Sequence, residues 1–230
     1  MSSSSIAITP ALYKKLDFDV QRDFVPVTLI ASQPSILVVH SSVSAANVQE
    51  LTALSRTNRL AYASAGVGSA THLGSELLLY TARAQMLHVP YKSAGLATSA
   101  VLAGETQVLL TNMASVLPHI ASGKLKAIGI TSTQRSAAAP KVPTLNESGL
   151  TGFEYSTWYG MFVPTGTSGE IVNRLHGSVA EVVRKQDVAE RFSTQGLQVY
   201  ASSPAEFGRY FAGELLRWDR VVHAAEISVD

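Results

Sequence analysis

Apolar positions along this chain fall into two patterns that alternate from one end to the other. Short apolar runs at 25–31, 36–40, 60–64, 86–89, 107–110 and 126–131 read as strands, the first two rich in β-branched residues. Pro26 and Pro34 bound the first two, which are read as separate strands. Between the strands the apolar spacing changes to three and four. Val48, Leu51 and Leu54 share one helical face behind Asn47 and Glu50, which form a capping-box pattern. Leu73, Leu77 and Leu78 do the same in a helix over 71–82, and a small-residue helix follows at 94–103. A further helix is predicted at 112–122, with Gly123 at its C-terminal cap.

The last third is more strongly patterned. Ile171, Val172, Leu175, Val179, Val182 and Val183 give an amphipathic helix behind Ser168. A short helix over 187–195 is expected to use Asp187 and Glu190 as its capping pair and Gly196 as terminator. Ser203, Pro204 and Glu206 then announce a long helix whose inward stripe is Phe207, Phe211, Leu215, Trp218, Val222 and Ala225. An extended stretch carrying Trp158 and Tyr159 ends at Pro164. Alternating strands and helices predict an α/β protein with mainly parallel sheets.

Composition narrows the function classes. Eighteen basic and 17 acidic side chains leave a net charge of +1, without the basic excess of a nucleic-acid binder. There is no cysteine, which removes disulfides, thiolate nucleophiles and thiolate metal sites. The six histidines show no metal-ligand spacing, and no Gly-x-Ser-x-Gly elbow occurs. No catalytic set, metal or cofactor is expected. No apolar run approaches the ~18 residues of a membrane helix. The Met1–Ser5 start has neither a basic region nor an apolar stretch, so it is not read as a secretory signal. Only seven charged residues fall between Ser41 and Ser115, whereas Arg, Glu and Asp alternate densely after Gly169, so two environments are implied.

The segment with the most chemistry is Leu-Ala-Tyr-Ala-Ser-Ala-Gly-Val-Gly-Ser-Ala-Thr-His-Leu at 60–73, which reads strand, loop, helix. Gly66 and Gly68 open backbone geometry closed to other residues and admit a ligand to the main chain. Ser69 and Thr71 place hydroxyls at the helix start, where free N–H groups and the helix dipole favour an anion. No Lys-Ser or Lys-Thr pair follows, so this is not a nucleotide P-loop. Spacing alone leaves open a plain tight β-α connection. His72 either donates to a ligand carboxylate or packs at the helix start, and Tyr159 either lines a cleft or fills a strand face.

Several motifs in order carry a resemblance. Thr9-Pro10-Ala11-Leu12-Tyr13, Asp23-Phe24-Val25-Pro26-Val27-Thr28, Tyr62 to Ser69, and His88-Val89-Pro90-Tyr91-Lys92 are followed by Leu117-Pro118-His119-Ile120. Ser122-Gly123-Lys124-Leu125, Val142-Pro143-Thr144 and Trp158-Tyr159-Gly160 complete the set. Together they resemble the periplasmic solute receptors of the tripartite tricarboxylate transporters, the Bug-type receptors, over almost the whole chain.

The resemblance implies a two-lobe periplasmic-binding-protein fold of type II. Residues 41–149 would form the second lobe, and 1–40 with 150–230 a partial first lobe, with hinge crossings near 38–42 and 155–163. A small carboxylate (di- or tricarboxylate, acidic amino acid or aromatic acid) would bind between the lobes and pass to a membrane permease, without cofactor or catalysis. Candidate ligand contacts are Ser3, Ser64, the main-chain N–H groups of Gly66 and Gly68, Ser69, His72, Thr111 and Tyr159. Thr111 stands where the family often has Asp, which disfavours an amino-acid ligand; Ser93 stands where it usually has Gly. Family members carry a signal peptide, two β-α units and a strand ahead of the position of Ser3. The first lobe is therefore expected to be incomplete, with open edges that invite self-association. Alternatives are a ligand-sensing regulatory domain of the same fold and a receptor no longer able to bind.

Overall fold

The computed structural model describes residues 1–13, 15–224 and 227, so Ala225 of the last helical stripe lies outside them. In chain order the elements are β1 (Ser2–Ser3), α1 (Ser5–Leu12), β2 (Phe24–His40), α2 (Val48–Thr57), β3 (Ala61–Ser64) and α3 (Ala70–Ala82). They continue with β4 (Leu87–Pro90), α4 (Ala94–Leu102), β5 (Val108–Asn112), α5 (Met113–Ala121) and β6 (Leu125–Ile130). The last are β7 (Ser156–Pro164), α6 (Gly169–Val183), α7 (Gln186–Thr194), β8 (Gln198–Val199) and α8 (Pro204–Ala224). No helix among the described residues is long and apolar enough to cross a membrane.

The chain forms two compact units, Met1–Gln33 with Thr157–Asp230, and Pro34–Ser156. The second unit thus reaches outside the expected 41–149 at both ends. Ser35 to Val39 pair with β5, and Ile36 and Val38 are fully buried in this unit's core. At the other end the Tyr155 N–H donates to the Thr131 carbonyl, and the Thr131 hydroxyl donates to the Tyr155 carbonyl. Residues 38–42 are therefore not the crossing; the chain changes unit at 33/34 and 156/157.

The two strands expected at 25–31 and 36–40 are one strand of 17 residues. Pro34 does not break it, because no ladder bond is needed from its nitrogen. Pairing with β8 ends at Ser32 and pairing with β5 begins at Ser35, so Pro34 falls between the two ladders. β2 also corrects the expectation of mainly parallel sheets. It runs antiparallel to β5, β6 and β8, and β1 runs antiparallel to β7. The parallel part is β4-β3-β5. The second unit's strand order is thus β6-β2-β5-β3-β4. Its core joins Ile36, Val38, Ala63 and Leu109 of the sheet to Met113 and Val116 of α5.

In the first unit α1 packs along α8. The aromatic stripe of α8 buries Phe207, Phe211 and Trp218 around Trp158 of β7. The Trp158 and Trp218 indole N–H groups both donate to Glu214 Oε2, at 3.0 and 3.2 Å. The predicted caps form at Asn47 and Ser203, and Ser168 caps α6, each accepting from the N–H three residues on. The α7 expectation is corrected: its N-cap is Lys185, without a side-chain cap, and Gln186 rather than Asp187 bonds Glu190.

Candidate functional site

β3 leads through α3 to β4 on one side of it, and β4 leads through α4 to β5 on the other. The connections diverge at the carboxyl ends of β3 and β5, and such a switch point opens the crevice where α/β sheets bind ligands. The ladder pairs Tyr62 with Val108 and Ala63 with Leu109. Continued by two residues, that register sets the start of the glycine loop beside Thr111.

Each strand then runs into a helix N-terminus. Ser69 caps α3, its hydroxyl accepting the His72 N–H at 3.3 Å. Asn112 caps α5, its side chain accepting the Ser115 N–H at 3.0 Å. The N–H groups of the first helical residues, Ala70 and Thr71 in α3 and Met113 and Ala114 in α5, have no intrahelical acceptor. Both dipoles present their positive ends here.

The glycine loop is folded by its own side chains. Gly66 and Gly68 take φ of 115° and 76°, as the sequence predicts for this loop. Their N–H groups differ from the expectation that they face a ligand. The Gly66 N–H donates to Ser64 Oγ at 3.1 Å, and the Gly68 N–H donates to His72 Nδ1 at 3.1 Å. Ser69 Oγ donates to the Gly66 carbonyl at 2.6 Å, and Thr71 Oγ1 accepts the Ala65 N–H at 2.8 Å. Both glycine amides are thus spent on loop shape, and the amides left over belong to the first turn of α3.

Ser64 is fully buried and sits 2.6 Å from His88 Nε2. His72 is buried, its ring stacked on His88 with centroids 4.1 Å apart. Burial, and secondarily the neighbouring His88, push the His72 imidazole down to about 4; burial also lowers His88. Both are therefore neutral at pH 7. Tyr62 stacks on His88 and donates its hydroxyl to the Glu76 carboxylate, and burial followed by that bond raises its own pKa. Sequence reading missed His88, Tyr62 and Glu76 because the parallel pairing of Tyr62 with His88 is non-local.

Thr111 is 1% exposed, and its hydroxyl has no hydrogen-bond partner. A buried hydroxyl without a partner costs on the order of 1–3 kcal/mol, so one at this strand end is a natural place for a ligand oxygen. Ser3 and Tyr159 belong to the first unit, where they are register partners across β1 and β7. They line a groove of about 490 Å³ with Ile30, Phe192 and Leu197. The predicted site residues thus form two groups, one in each unit.

Residues 1–227 match the tripartite tricarboxylate transporter family receptor. The chain belongs to that receptor family. BugT of Bordetella pertussis is 32% identical over 223 residues, 96% of this chain and 68% of BugT. A Pseudomonas sp. protein of the tcbD–tcbE intergenic region is 33% identical over 225 residues, 96% of this chain and 67% of that protein. The chain thus spans about two-thirds of the length of these relatives. Among solved receptors, an R. palustris protein with adipate superposes with a TM-score of 0.84 at 26% identity, covering 99% of this chain and 78% of that one. MatC of Rhodopseudomonas palustris with bound malate gives 0.77 at 28% identity, covering 96% and 75%. The periplasmic binding protein BugD gives 0.81 at 26% identity, covering 98% and 77%. The family fold is the two-lobe α/β fold of periplasmic binding proteins.

Proposed function

We propose that this receptor-family chain binds a small carboxylate at the carboxyl ends of β3 and β5 and delivers it, in the periplasm, to a tripartite tricarboxylate-type permease. It acts as a binding protein and not as an enzyme. The observation that carries the reading is that the paired strands β3 and β5 each run into a helix N-terminus, with the unpartnered Thr111 hydroxyl at the end of β5. A carboxylate there is met by main-chain N–H groups of Ala70 and Thr71 and by positive dipole ends. Thr111 Oγ1 donates to it. Ser64, Gly66, Gly68, Ser69 and His72 hold the loop in shape, and Ser3 and Tyr159 are candidate contacts on the first unit's own surface. The adipate and malate bound to two structural relatives support the ligand class.

A thermal-shift and calorimetric screen of adipate, malate, citrate, glutamate and nicotinate tests the proposal. A ligand at a hundredfold excess over its dissociation constant stabilises the fold by about 2.7 kcal/mol. One or more dicarboxylates should raise the melting temperature with the logarithm of their concentration, with glutamate weaker because Thr111 offers an amino group no charge. No shift with any member of the panel overturns the assignment.

A further inference from the structure

We infer that the stacked pair His72–His88 positions the glycine loop of the second unit as a proton-sensitive latch, with His72 Nδ1 as the atom that releases it. The inference rests on the ligand role proposed for that loop, and its test is built to be read without ligand.

Each imidazole holds one glycine amide. His72 Nδ1 accepts directly from the Gly68 N–H. His88 acts through Ser64, whose Oγ accepts from the Gly66 N–H and lies 2.6 Å from His88 Nε2. The two rings are stacked at 18° with centroids 4.1 Å apart, and Tyr62 closes the stack on His88 at 4.8 Å. Three elements therefore meet behind the loop: β3 with Tyr62 and Ser64, β4 with His88, and α3 with His72 and Glu76.

Proton placement makes the two histidines unequal. Because Nδ1 of His72 accepts an N–H, its single proton is on Nε2, which lies 3.9 Å from Glu76 Oε1. A second proton on His72 must go to Nδ1, where it opposes the Gly68 N–H and the bond is lost. His88 tolerates protonation better. Ser64 would then accept from Nε2 and turn its own proton to the Gly66 carbonyl, 3.3 Å away. The titratable groups facing His72 are His88 from β4, Tyr62 from β3 and Glu76 from its own helix. Tyr155 reaches the same helix start, donating to the Ala70 carbonyl. The Glu76 carboxylate, which accepts from the Tyr62 hydroxyl, favours an imidazolium from 3.9 Å, but burial and the second ring at 4.1 Å oppose it and prevail. The neutral stack is the stable state, and the lowered His72 pKa agrees with that geometry.

The test uses the chain without ligand. In nitrogen-15 NMR, His72 should show an unprotonated Nδ1 at pH 7. On acidification the Gly68 amide resonance should move with the same midpoint as the His72 ring. A Gly68 amide that stays fixed while His72 titrates overturns the inference, whatever the variants do. His72→Phe keeps a flat ring but no acceptor, and should speed Gly68 amide exchange about tenfold. His72→Asn puts an oxygen near the Nδ1 position and should restore protection while removing the pH dependence. Equal exchange in wild type and His72→Phe, or no rescue by His72→Asn, refutes the positioning role. With adipate as probe, His72→Phe should bind more weakly and His72→Asn near wild type. Absence of binding by the wild-type chain to every carboxylate of the panel would refute the proposed function and leave the latch standing on the NMR result.

Discussion

Gly74→Ala sets two effects of known sign against each other at the back of the candidate site. Gly74 lies inside α3, where replacing glycine by alanine favours a helix by about 0.8–1.0 kcal/mol. The new methyl would stand 2.5 and 2.9 Å from Tyr155 Cε1 and Cδ1, and 2.7 Å from Leu110 Cδ2. Carbon contacts are comfortable at about 3.5–4.0 Å, so the overlap is roughly 1 Å on two sides. Neither neighbour has room to yield. Tyr155 and Leu110 are each 1% exposed, and the Tyr155 hydroxyl is tied to the Ala70 carbonyl at 2.7 Å. Overpacking of this kind costs about 1–3 kcal/mol and exceeds the propensity gain in most of that range. The expected net loss is about 1 kcal/mol, a fall of roughly 3–6 °C in melting temperature for a unit of this size. Both tryptophans belong to the first unit, so tryptophan fluorescence reports the wrong half of the chain. Far-ultraviolet circular dichroism in a urea titration, with the tyrosine signal alongside, is the proper assay. A variant as stable as wild type, or more so, would show that α3 can shift away from Tyr155 and Leu110 and would refute the packing argument.

Four further outcomes are expected. Gly177→Ala and Gly213→Ala, in helices where the new methyl meets nothing within 4 Å, should each raise stability by about 0.5–1 kcal/mol in the first unit's urea transition. Glu214→Leu leaves the Trp158 and Trp218 indole N–H groups without their shared acceptor and should cost about 2–4 kcal/mol, read by tryptophan fluorescence. Thr111→Val removes a buried hydroxyl without a partner, so stability should stay level or rise by about 1 kcal/mol while adipate affinity falls; a clear loss of stability would contradict the orphaned state. His72 titrates at about 4 when folded against 6.5 ordinarily, so the unfolded chain takes up that proton first. Its contribution is complete above pH 6.5 and is lost as pH falls from 6.5 toward 4, so His72→Asn should gain on wild type in urea midpoint over that interval.

What the sequence made legible was local, and what it hid was pairing. The caps at Asn47 and Ser203 and the stripe of α8 could be read because every partner lies within a few residues. β2 could not, because Pro34 reads as a break unless the neighbouring ladders are known to stop at Ser32 and start at Ser35. The candidate site divides along the same line. Ser69, Thr71 and the positive φ of Gly66 and Gly68 follow from the loop's own composition. The support behind the two glycine amides does not: their acceptors Ser64 and His72 are local, but both lean on His88, 24 residues beyond Ser64 and brought to its side by a parallel register. His72 was ambiguous for the same reason. Its Nδ1 bond to Gly68 spans only four residues, but its neutrality comes from burial against a ring on another strand. A histidine at a helix start reads as a ligand donor until that second ring is placed. Once it is placed, the nitrogen nearest the loop is an acceptor already in use, which is why the proposed carboxylate is assigned to the helix amides.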